Sequence, residues 1–458
     1  MKQEDFAQFS TSLRGPVIDR GNPGYDEARS LYNGMIDKHP LLIAQCADTG
    51  DVIAAVNFGR EHNLPIAIRG GGHNGPGLGS VDDGLVIDLR NMKGVRVDPK
   101  ARTVRVGPGC TTGDVDHATH AFGQAVPFGI ISTTGVAGLT LSGGHGYLSR
   151  QYGLAIDNLL EADVVLADGS FVTASETENP DLFWALRGGG GNFGVVTSFL
   201  FRTNPAAMVY GGPIVYDIDD AAEVMRWYRD FEKRAPLDFY IFLGLQTVAN
   251  TEPFPVEHWD KRMCVLLVSH NGPNGEAEVN AIRAELPTPL FDWCGPMPYT
   301  ALQSLFDPFY PKGLNWYWKG DFVKTLPDAA IDAHVEHARN GNVYSCMHLY
   351  PIDGAVHRKQ PGDTAWSTRD ATWSMVIVGL SPEAGDVPSI TQWAKGYWSA
   401  VHPHNLAGAY PNFMMDDEGD ARVRASFGPN YERLASLKRR YDPQNLFRVN
   451  QNIRPAAS

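Results

Sequence analysis

At 458 residues the chain is too long for one ordinary domain, and about 150 residues per domain implies three units or two large ones. A content of 43% hydrophobic and 20% charged residues excludes wholesale disorder and coiled coil. The formal net charge of −13 argues against nucleic-acid or anionic-membrane binding, which needs a basic face.

Met1-Lys2-Gln3-Glu4-Asp5-Phe6 has no apolar leader segment. Asp48-Thr49-Gly50-Asp51 starts a helix, with Val52, Ala55, Val56 and Phe58 as its apolar stripe. The run Leu64 to Ile68 reads as a strand feeding Arg69-Gly70-Gly71-Gly72-His73-Asn74, and Leu85 to Leu89 as another. Val95 to Val97 and Thr103 to Val106 flank the turn residues Asp98-Pro99 and predict a hairpin. Phe128 to Leu148 is apolar but broken by glycines and reads as loop, too interrupted to span a bilayer. A second hairpin is predicted around Asp168-Gly169, then a helix over Pro180 to Leu186 and a strand over Gly194 to Phe201. Beyond Ala206 aromatic residues become dense, with strands such as Met263 to Ser269 and Trp373 to Leu380 alternating with helices such as Ala221 to Arg234 and Ile331 to Arg339. These read as a second sheet with helices on one face and a mostly aromatic core. A charged helix, Tyr431 to Arg440, precedes the tail. Cys46, Cys110, Cys264, Cys294 and Cys346 are widely spaced without a CxxC pair, which predicts reduced thiols in a cytoplasmic protein.

Glycine is concentrated in four loops, 69–79, 107–113, 129–146 and 187–194. Two of them match GxGxxG by letter. The first does not open a helix, and the second follows a helix and precedes a strand, so neither has the order of a dinucleotide-binding Rossmann turn. Bare backbone still allows close approach to a ligand and anion-binding nests of N–H groups. Four such loops within about 125 residues favour one large phosphate-bearing ligand.

The succession Arg69-Gly70-Gly71-Gly72-His73-Asn74, Asp88-Leu89, Gly107-Pro108-Gly109, Gly135-Val136-Ala137-Gly138, Ser142-Gly143-Gly144, Tyr152-Gly153-Leu154, Asp157-Asn158 and Asn192-Phe193-Gly194-Val195-Val196-Thr197 resembles the berberine-bridge-enzyme-like flavoprotein oxidases, of vanillyl-alcohol-oxidase or PCMH type. The ending Tyr441 to Arg448, followed by Asn450-Gln451-Asn452-Ile453, is similar to the tail of that family. The resemblance implies an α+β fold: a PCMH-type FAD-binding domain over 1–205, an inserted substrate domain with an antiparallel sheet and helices over 206–405, and a segment 406–458 that returns to the FAD domain. It implies FAD held by the glycine loops, including Ser132, Thr133 and Thr134, and by Asn412, Asn450 and Asn452. His73 would carry the flavin covalently. Relatives with a second link carry a Cys where this chain has Ile131, so a single attachment is expected, with Cys110 and the other thiols as bystanders.

The implied reaction is hydride removal from a C–H bond beside an alcohol or amine, with O2 reduced to hydrogen peroxide and no nucleic-acid or membrane partner, in a monomer or homodimer. A dehydrogenase using another acceptor, or a silent flavoprotein binding an aromatic metabolite, are the alternatives. Alcohol-oxidising members use a Tyr as base where this chain has Phe413. Within Ala409-Tyr410-Pro411-Asn412-Phe413, strand alternation would aim Tyr410 away from the face of position 413. His145 is the other candidate base, its ordinary pKa of about 6.5 suiting proton transfer near neutrality. Tyr410 and Tyr350 are the other catalytic candidates, and Arg369 joins Tyr350 as a candidate substrate contact.

Overall fold

The computed structural model describes residues 3–457. A first sheet has the order Val17–Asp19, Leu42–Gln45, Leu85–Asp88, Ile66–Arg69, and its last three strands are parallel. Their aliphatic runs are almost wholly buried, as parallel strands are. The helix Thr49–Glu61 makes the crossover, capped by Asp48, whose side chain accepts from the Asp51 amide. In this register Arg69 stands beside Asp88 at the carboxyl ends of the strands, where the first glycine loop departs.

The second sheet is antiparallel, in the order Val95–Asp98, Thr103–Val106, Val195–Arg202, Leu159–Val165, Phe171–Ser175. Both predicted hairpins are present in it, and the helix Pro180–Leu186 has the predicted bounds. The Gly-rich run read as loop contains a helix, Val136–Leu141. All five of its side chains are buried, so tertiary packing supplies what the glycines around it withhold.

The third sheet is antiparallel, and its strands all lie between residues 208 and 381. Its central order is Met208–Asp217, Arg262–His270, Phe239–Thr247, Cys346–Pro351, Trp373–Ser381, Asn315–Val323. Side chains alternate across it with the period of two that a strand imposes. Ile241, Leu243, Met347, Leu349, Met375 and Ile377 meet the helices Ala221–Glu232, Asp328–Arg339 and Val387–Val401. Phe242, Cys346, Tyr350, Val376 and Val378 face the other way, toward Tyr32, Tyr147 and Leu148 of the first half of the chain.

Between these layers Asp116, on the helix Thr112–His120, is buried. Burial raises its pKa to about 8, the rise being opposed only by the nearby Gln303 amide. Between its ordinary value near ~3.9 and that value the fold keeps a proton the unfolded chain has lost, so stability falls as pH rises through this window. Asp116→Asn preserves the neutral shape and is expected to gain on wild type in urea midpoint between pH 5 and pH 8. Equal differences at both pH values would show Asp116 ionised in the fold.

Candidate active site

A cavity of about 350 Å³ lies between the glycine loops and the inward face of the third sheet. The loops are fixed by one another. A Cβ on Gly71 would collide with the Gly135 backbone and one on Gly135 with Gly71, so the two loops touch only because both residues are glycine. A Cβ on Gly75 would strike the Trp318 indole, which brings the sheet onto the first loop.

Arg69, Gly70, Gly71, Gly72, His73 and Asn74 line the cavity together with Thr134, Gly135 and Gly138. Gly194, Val196, Asn412 and Asn450 line it from the other loops and the tail. Thr133 lines a smaller adjoining cavity beside His73. The other expected contacts stand outside. Gly107 and Gly109 press against the backbone at Met92 and Leu89, and Gly143 and Gly144 against Trp366 and Ala155, so packing explains these glycines. The Ser132 amide donates to Asp307 at 3.0 Å, and its hydroxyl bonds the same carboxylate. Val195 and Asn452 are not at the wall.

Asp157 is held by Arg369 through two hydrogen bonds of 2.8 Å, and Asn158 donates to the carbonyls of Tyr152 and Leu154. Both are structural. The same pair withdraws Arg369 from any substrate role, because its remaining bonds go to Thr364 and the Val356 carbonyl.

His73 stacks on Tyr32 with ring centres 3.9 Å apart. Burial lowers its pKa to about 4, opposed by a hydrogen bond with the Thr133 backbone, so the imidazole is neutral with a free lone pair at pH 7. Ile131 lines the cavity in place of a thiol. Cys110 is buried in the core of the first half, but Cys346 is a cavity residue rather than a bystander. Burial pushes its thiol up to about 12 and keeps it protonated. The five cysteines are buried and unpaired.

At the sheet end, His145, Tyr350, Tyr410 and Phe413 form one cluster. The expected strand at 409–413 is instead a single 3-10 turn, Pro411–Phe413, imposed by the fixed φ of Pro411. Tyr410 and Phe413 therefore share a face, their rings 4.9 Å apart, and the inference that they point oppositely is wrong. The Tyr410 hydroxyl accepts from Asn412 at 2.7 Å and from the Gly144 amide at 3.1 Å. Burial raises its pKa to about 12, those two donors opposing the rise.

His145 has neither ring nitrogen partnered, and burial alone lowers its pKa to about 3. It is a neutral imidazole and a far weaker base than its ordinary value suggests. A histidine not anticipated from the sequence stands nearby. His348 Nδ1 lies 2.6 Å from the Tyr350 hydroxyl and Nε2 lies 2.9 Å from Gln246 Oε1. The alternation Cys346, His348, Tyr350 against Met347 and Leu349 was the available signal.

The wall offers what a flavin dinucleotide needs. Beside Gly138 and Gly191 the space a Cβ would take is open, so bare backbone faces the cavity. Arg69 Nε and Nη1 and Asn450 Oδ1 are buried, unpartnered and on residues of the wall. These residues fit FAD, and such a fold and site define a flavin-dependent oxidoreductase.

Residues 40–175 match the FAD binding domain family, and residues 409–454 match the berberine and berberine like family. A FAD-linked oxidoreductase of Dictyostelium discoideum is 31% identical over 98% of this chain and 96% of its own. The (R)-6-hydroxynicotine oxidase of Paenarthrobacter nicotinovorans is 30% identical over 98% of each chain. The solved structure of 6-hydroxy-D-nicotine oxidase from Arthrobacter nicotinovorans superimposes with a TM-score of 0.87 at 27% identity, covering 97% of this chain and 99% of that one. The chain belongs to the berberine-bridge-enzyme-like family of FAD-linked oxidoreductases. Among the described residues no helix is long and apolar enough to cross a membrane.

Proposed function

We propose that this enzyme is an oxidase that removes a hydride from a carbon bearing an alcohol or amine of a small organic substrate, with FAD attached through His73 alone and O2 as the acceptor. The observation that carries this reading is one cavity with bare glycine backbone at one end and a wall of aromatic and imidazole side chains at the other. FAD, when bound, supplies the hydride acceptor and the centre that O2 reoxidises. The backbone at Gly70 to Gly72, Gly138 and Gly191 would hold its phosphates, with Asn450 and the free donors of Arg69 as polar anchors. The neutral His73 would be the attachment point. Trp316, Trp318 and Phe306 would hold the apolar body of the substrate and exclude water. Tyr410, whose hydroxyl already accepts two hydrogen bonds, keeps its own proton for donation into the cavity. His145, kept neutral, can take part in hydrogen bonding without bringing charge. Five buried, unpaired cysteines support a reducing, cytoplasmic setting.

The test needs no known substrate. Holoenzyme reduced anaerobically with dithionite is mixed with aerated buffer, and rapid return of the flavin absorbance with one equivalent of peroxide is expected. Reoxidation by ferricyanide but not by O2 would make the enzyme a dehydrogenase.

A further inference from the structure

We infer that Tyr350, His348 and Gln246 form a proton-accepting string on the sheet wall, and that the substrate is an uncharged alcohol whose hydroxyl docks on Tyr350. This rests on the oxidoreductase reading above and adds the group that receives the proton.

The three residues come from adjacent strands. His348 lies opposite Gly244 on Phe239–Thr247, and Gln246 reaches it from two residues further along. The roles follow from the partners. Gln246 Oε1 can only accept, so His348 Nε2 carries the hydrogen; Nδ1 is then bare and accepts the Tyr350 proton. With that proton turned to His348, Tyr350 presents its oxygen lone pairs to the cavity. A docked group must therefore be a donor, as a hydroxyl is.

Charge decides between alcohol and amine. Among the described residues lining the cavity there is no Asp, Glu or Lys, and Arg69, the one permanent charge, is paired with Asp88 at 2.8 Å. An alkylammonium would meet no counter-charge there, whereas a neutral alcohol meets none of that cost. The titratable groups around the string are Cys346, Tyr310, Tyr240 and Tyr147, all pushed upward by burial, and His145, whose ring centre lies 5.4 Å from that of Tyr350 and whose pKa burial lowers to about 3, so all are neutral. His348 is itself neutral, lowered to about 4 by burial, so Nδ1 keeps its lone pair throughout the physiological range, although like His145 it is a weak base.

The step balances as follows. With FAD bound, the carbinol C–H bond would break and its hydrogen would leave with the electron pair, the flavin being the group reduced. The O–H proton passes to Tyr350 Oη, the Tyr350 proton passes to His348 Nδ1, and a carbonyl product remains. Departure of the hydride would make the carbinol O–H strongly acidic, which would drive its proton onto the string despite the weak basicity of His348. The proton is then available for the reduction of O2 to peroxide.

Tyr350 would touch the substrate and is catalytic; His348 and Gln246 act through it and are positioning residues. The first readout is independent of turnover. 15N NMR of histidine-labelled oxidised holoenzyme, assigned with His348→Asn, is expected to show Nε2 protonated and Nδ1 bare. The opposite tautomer overturns the string.

The second uses benzyl alcohol and benzylamine as probes of anaerobic flavin bleaching at pH 7. Benzyl alcohol is expected to bleach wild type, and Tyr350→Phe to slow this by about 10²-fold or more with FAD still attached. Gln246→Glu places a carboxylate beside Nε2, raises the histidine pKa and should move the acid limb of the rate profile to higher pH. A structural defect would lower the rate without moving that limb. Bleaching by benzylamine alone, or an unchanged rate in Tyr350→Phe, overturns the inference while leaving the oxidase reading intact. Failure of reduced enzyme to react with O2 would sink that reading and leave the string untouched.

Discussion

His73→Ala is expected to yield a protein whose FAD passes wholly into the supernatant on acid precipitation, whereas wild-type protein stays yellow and fluoresces on a denaturing gel. The effect should be all-or-none, because the proposed attachment would need a nucleophile with a lone pair in the first glycine loop. On the proposed reading His73 would be that nucleophile, neutral through burial and stacked on Tyr32. The position where a second link would form is Ile131, and the thiol of Cys346, although at the cavity wall, is held protonated. Residual covalent flavin in His73→Ala would show that Cys346 or another residue bonds it.

Lys438→Met is expected to cost about 3–5 kcal/mol of stability, read by urea unfolding of the holoenzyme. The Lys438 side chain has no solvent exposure and donates to Asp442 at 2.7 Å, to the Asn192 carbonyl at 2.7 Å and to the Phe447 carbonyl at 2.8 Å. Removing the ammonium leaves a buried carboxylate that keeps the amides of Leu446 and Phe447, and leaves the Asn192 carbonyl without this donor, while the Phe447 carbonyl keeps one from Asn450 at 3.0 Å. Lys438→Met combined with Asp442→Asn, which strands no charge, should recover a large part of the loss. A single variant within about 1 kcal/mol of wild type would mean that the tail is held by its other contacts. Those include the Ile453 amide on Asn192 and the Asn192 amide on the Gln451 carbonyl. Such a loss would also loosen the loop at Gly191, which faces the cavity.

What was legible in the sequence was local. Asp98-Pro99 and Asp168-Gly169 specify their hairpins, and Pro180 starts its helix, because each signal acts within a few residues. Pro411 is an equally local signal, and the 3-10 turn it starts breaks the strand alternation that the flanking residues suggest. The glycine motifs marked the cavity but could not separate glycines that face it, such as Gly138, from glycines that admit neighbouring backbone, such as Gly107 and Gly109. Asp157 and Arg369 lie 212 residues apart, and nothing local says that each consumes the other. The role of His348 carries no local signal for the same reason, since its meaning depends on Gln246 from another strand. Its lowered pKa, like that of His145, comes from burial that only the assembled layers create.

The alternation along Cys346–Pro351 and Trp373–Ser381 also bears on how this scaffold can diversify. Residues 346, 348, 350, 376 and 378 face the cavity, while 347, 349, 375 and 377 pack against helices. Adaptive change can therefore run along alternate positions of two adjacent strands and rewrite the chemistry offered to a ligand. The interleaved aliphatic positions keep the architecture intact, so novelty and foldability are inherited through separate residues of the same segment.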